Sequence, residues 1–207
     1  MSAGIPLHER QYNDYVVNIR IDRSQSPGGT LVVIIFLGDV PPDPRQWESA
    51  PKVGVATFMG MGGSRERVSQ ANSANPRIEH GQVSLTNALI DLIESKRAVG
   101  AGGDVLRSLD RAEVGPFLRQ NLHWKVQSVS NFPTTGRRYK THGEHHTMQA
   151  QNEFPLSEVP SLRVSVATCI ATLPEQDDQF VHYGPSEVVG EATQGRPCGF
   201  DPDVDRL

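Results

Sequence analysis

Apolar and polar positions alternate along the first part of the chain. Between Tyr12 and Asp22, Val17, Ile19 and Ile21 are separated by Asn18 and Arg20. This period of two predicts a half-buried strand. Thr30 to Leu37 (TLVVIIFL) is unbroken and β-branched, which predicts a strand covered on both faces. Pro27-Gly28-Gly29 separates the two and suggests an antiparallel hairpin. Val53–Met59, Ile78–Leu85, Leu122–Val129 and Leu162–Leu173 read as further strands, and Phe180–Val189 as a last one. Leu85, Leu89, Leu92 and Ile93 fall on one helical face, with Ser84 or Thr86 as the cap and Gly100 beyond the end. A second helical stretch covers Val105–Leu122, broken at Gly115-Pro116. The pattern predicts a mainly β chain: an antiparallel Greek-key β-sandwich of six to seven strands with two short inserted helices. Residues 1–11 read as a flexible N-terminal segment, 12–192 as the sandwich domain and 193–207 as a coil tail.

Composition narrows the class. The 207 residues include 19 Gly and 15 Pro, which fits a loop-rich β protein better than a helical bundle. The chain is long enough to bury a core without disulfides or a structural metal. Twenty basic residues against 24 acidic ones give a net charge of −4, with no basic run, so a nucleic-acid partner is not expected. The longest apolar run, Leu31–Leu37, fits one strand, so no membrane span is expected. Met1–Arg20 holds no apolar segment of signal-peptide length and the chain has two cysteines, which together predict a cytoplasmic setting. Cys169 lies in an apolar strand and reads as buried. Cys198 lies in the Gly/Pro-rich tail and reads as an exposed thiol, with a bridge between the two left open.

Candidate chemistry concentrates in loops. Gly60–Pro76 and Asn131–Leu156 are long and polar, the first reading as a mobile surface loop. The second contains His142-Gly143-Glu144-His145-His146, with Met148 two residues on. Imidazole, carboxylate and thioether suit copper or zinc, so the segment reads either as a solvated polar loop or as a weak, transient metal site. No second half of a closed site is present in the sequence. Phe58, Met59 and Met61 form a soft apolar cluster at the end of the third strand. It reads either as the end of a core strand or as a tip that enters a partner's cleft. Trp47, in a loop with four prolines, is expected to pack back on the sheet. Asp104, Asp110 and Glu113 read as solvated positions. No nucleophile elbow and no phosphate-binding loop is present.

A distributed set of blocks resembles the C-terminal domain of fungal tyrosinases. They are Tyr15–Arg20 (YVVNIR), Phe36–Trp47 (FLGDVPPDPRQW), Val53-Gly54, Val83–Leu89 (VSLTNAL), Val114–Lys125 (VGPFLRQNLHWK), Val159–Val166 (VPSLRVSV), Thr172–Glu175 (TLPE), Tyr183-Gly184 and Gly195-Arg196-Pro197. The resemblance covers most of residues 12–200. It implies a non-catalytic β-sandwich that follows a di-copper catalytic domain, covers its active site and places an aromatic residue in the substrate pocket until proteolysis removes it. Such a domain binds no cofactor tightly. Its implied partner is the catalytic di-copper domain, in cis or in trans. The placeholder region maps to Thr57–Met61, with Phe58 as the first candidate and Met59 and Met61 as neighbours. Many relatives carry a Cys-x-x-Cys pair in the following loop, thought to hand over copper. Residues 60–76 contain no cysteine. His142, His145, His146 and Met148 are candidates to replace it as weak, transient copper ligands.

An alternative reading is a stand-alone small-molecule enzyme of fungal secondary metabolism, of cyclase or isomerase type, built on the same sandwich. Its acid and base groups would come from His123, His182, Tyr183 and Glu144. His123, within NLHW, has a structural role as the simpler expectation. A third reading is an interaction module that uses the exposed loops.

Overall fold

The computed structural model describes residues 10–25, 29–59, 76–100, 102–129, 152–174, 180–203 and 205. Among them are nine strands and two α-helices. The strands are β1 (Gln11–Asp22), β2 (Thr30–Leu37), β3 (Lys52–Phe58), β4 (Ile78–Ser84), β5 (Leu122–Val129), β6 (Asn152–Phe154), β7 (Arg163–Thr172), β8 (His182–Tyr183) and β9 (Glu187–Val188). The helices, α1 (Thr86–Ser95) and α2 (Arg111–Asn121), lie in the connection between β4 and β5.

Two antiparallel sheets face each other. One has the order β4-β1-β7-β8, with β9 also on β7, and the other β3-β2-β5-β6. Alternation decides which side chains meet between them. Tyr15, Val17, Ile19 and Ile21 of β1 point inward and are at most 1% exposed, as are Leu31, Val33 and Ile35 of β2. Leu122, Trp124 and Val126 of β5 and Val164 and Val166 of β7 complete the layer. Strands β6, β8 and β9 are two or three residues long. They account for the excess over the six or seven strands expected. β6 lies within a stretch the sequence reads as loop.

Three local expectations are corrected. β1 and β2 do not form a hairpin: β1 pairs with β4 and β7, and β2 with β3 and β5. The Gly-rich connection crosses from one sheet to the other. The second helix does not break at Gly115-Pro116 and begins at Arg111. Val114, Phe117 and Leu118 are buried on its core side, and this packing outweighs the hydrogen bond that Pro116 removes. Gly115 is where the 190–192 turn rests on the helix, since a Cβ there would meet Glu191 Oε1 at 2.4 Å. Neither Ser84 nor Thr86 caps α1, which has Leu85 at its N-cap without a side-chain bond. The Thr86 hydroxyl instead accepts from the Tyr15 amide at 2.7 Å and donates to Asp14. The Tyr15 hydroxyl donates to the Leu109 carbonyl at 2.9 Å. These bonds pin the helical connection to β1.

The outer face of β2 is covered, as its unbroken apolar run requires. Ile34, Phe36 and Trp47 form a second small core. Trp47 meets Phe36 edge-on at 5.9 Å between ring centroids. Its indole N–H donates to the Pro41 carbonyl at 2.8 Å, and Lys125 Nζ lies 5.8 Å from its ring centre. The tail is irregular but docked rather than loose. Cys198 is partly buried against the main core, and Gly199 bridges to Val164. Cys198 is therefore not an exposed thiol, and Cys169 is half-buried rather than buried; both are unpaired. Asp104 and Glu113 are also engaged: Asp104 accepts from Asn121 Nδ2 at 3.2 Å, and Glu113 from the Ser108 amide at 3.1 Å.

The two sheets come closest where β3 faces β4. A Cβ on Gly54 would meet Val83 Cγ1 at 2.6 Å, and one on Gly81 would meet Ala56 Cβ at 2.8 Å and Phe58 Cζ at 3.1 Å. The Phe58 ring thus lies over a bare backbone. Phe58→Ala is expected to cost about 3–5 kcal/mol, and Gly81→Ala about 1–3 kcal/mol by overpacking. Urea unfolding of the two variants measures both; a Phe58→Ala loss below about 1 kcal/mol contradicts the burial of this ring.

Candidate functional site

The end of β3 is built by strand alternation. Gly54, Ala56 and Phe58 face Ile35, Val33 and Leu31 of β2, so Phe58 points inward and is 3% exposed. Met59, one step on, is 74% exposed. The structure separates the residues grouped from the sequence: Phe58 is part of the core, and Met59 stands out from it. Met61 lies outside the described residues, as does nearly all of the polar segment from Gly60 to Pro76. An aromatic placeholder at Phe58 would have to leave the core, which is the physical objection to that assignment.

The candidate metal ligands His142, His145, His146 and Met148 lie outside the described residues, together with Glu144. Among the described residues, no group of three or more His, Cys, Asp or Glu is arranged to hold a metal ion. None of the described helices is long and apolar enough to cross a membrane.

The remaining acid–base candidates do not converge. His182 and Tyr183 lie on the short strand β8, opposite Thr172 and Ala171, and both are exposed. His123 is on the other sheet, opposite Phe36, on the outward side. Burial holds its imidazole pKa below the ordinary 6.5; the Arg196 charge adds to this and Asp39 opposes it. Arg196 stacks over the inward Trp124, 4.3 Å from the ring centre, and so ties the tail to β5. His123 lies opposite Phe36 of the second small core.

Sequence reasoning missed an exposed apolar group near the start of β8. Phe180 is 95% exposed, Tyr183 55% and Ile170 52%. The polar run before Phe180 could have flagged it as a ring with no strand to bury it. On β7, Cys169 lies opposite Asp14; burial and then the Asp14 charge push its thiol pKa up. It is not an activated nucleophile.

His123 makes a pH prediction. Its pKa is lower folded than unfolded, so the unfolded chain binds the extra proton first as pH falls through 6.5. The stability it contributes is complete above that value and is lost below it, towards the folded pKa. His123→Gln is therefore expected to flatten the loss of stability between pH 7.5 and 5.5. Urea midpoints at the two pH values test this, and an unchanged slope contradicts it.

Comparison with known proteins places this arrangement. A family model described as the tyrosinase C-terminal domain matches residues 14–138. A tyrosinase of Neurospora crassa is 33% identical over 196 residues, covering 93% of this chain and 24% of that protein. The chain therefore spans about a quarter of the length of the curated relative it matches. Among solved structures, recombinant mushroom tyrosinase is 12% identical, covering 86% of this chain and 25% of its own, with a TM-score of 0.49. A mushroom tyrosinase crystal described as holding latent and active enzyme together is 13% identical, with the same coverage and a TM-score of 0.48. With more than half of its length matched, and with a mainly β architecture of two facing antiparallel sheets, the chain belongs to the tyrosinase C-terminal domain family.

Proposed function

We propose that this domain is non-catalytic and covers the type-3 copper site of a tyrosinase-type catalytic domain, in cis or in trans, keeping it latent. Family membership supports the partner class, because this domain corresponds to about a quarter of a relative that is named a tyrosinase. The observation that carries the reading is the end of β3. A strand anchored by the buried Phe58 leaves Met59 exposed directly after it, within the Thr57–Met61 region that the resemblance assigns to the placeholder. The occluding group is therefore assigned to Met59 and Met61 rather than to Phe58. A thioether side chain is flexible and apolar, so it can fill an aromatic substrate pocket and exclude water. The core strand behind it resists being pushed back.

The same reading gives the His142–His146 segment a chaperone-like role in copper loading. Imidazole nitrogens and the Met148 thioether are the donor types that hold copper weakly and release it.

Co-expression with a catalytic tyrosinase domain tests both parts. Phenol oxidation is expected to be suppressed, and to return on limited proteolysis or with Met59→Gly combined with Met61→Gly, while the variant's unfolding free energy stays within about 0.5 kcal/mol of the parent's. Full activity in the presence of the parent chain contradicts the shielding role. A triple His142→Ala, His145→Ala, His146→Ala variant is expected to lower copper occupancy of the catalytic domain; equal occupancy contradicts the loading role.

A further inference from the structure

We draw no further inference here: the strongest candidate, the exposed apolar patch of Ile170, Phe180 and Tyr183 at the β7–β8 end of the sheet, carries nothing because it is an unpartnered face and nothing in the structure shows what covers it.

Discussion

The structure depends on one packing layer, the inward residues of β1 and β7 pressed against those of β2 and β5. β1 is twelve residues long and hydrogen-bonded on both edges. Its four inward side chains, Tyr15, Val17, Ile19 and Ile21, are at most 1% exposed. Burying one such side chain is worth about 1.5–3 kcal/mol. Strand pairing, the sheet crossing between β1 and β2, and the docking of the helical connection all follow from keeping this layer dry. The connection joins the same core through Leu89, Leu92, Val114 and Leu118, and polar bonds to Thr86 and Leu109 hold it against the start of β1.

This layer also decides what the end of β3 can do. Because Gly54 and Gly81 let the two sheets approach at that edge, Phe58 becomes part of the seam between them. A seam residue cannot also be a probe inserted in a partner. Strand parity then hands the exposed position to Met59. On the proposed shielding role, stability and occlusion fall on adjacent residues, and substitutions at the two should separate cleanly.

The strands were legible because period-two alternation is a direct image of a half-buried sheet. The VNIRI pattern and the TLVVIIFL run both appear where they were expected, the latter covered outside by Trp47. Pairing was not legible. A Gly-rich turn permits a hairpin and permits a crossing, and only the need of β1 and β2 to face each other across the core decides between them. The α2 helix runs through Gly115-Pro116 because tertiary burial of Val114, Phe117 and Leu118 outweighs local propensity. The burial of Phe58 could have been read: counting in twos from Gly54 puts Ala56 and Phe58 on one face and Met59 on the other. The register that sets Arg20 opposite Arg163 could not have been, because a separation of 143 positions in sequence leaves no local signal.

The central claim is that the end of β3 and the residues that follow it meet the catalytic domain while the core behind them is unchanged. Amide hydrogen exchange of this chain, alone and in complex with a catalytic tyrosinase domain, measures that directly. The account predicts new protection in the peptide that begins at Met59, with the exchange of β1 and β2 unaltered. Suppressed phenol oxidation without protection at Met59, or with protection confined to the exposed Phe180–Tyr183 segment, would contradict it.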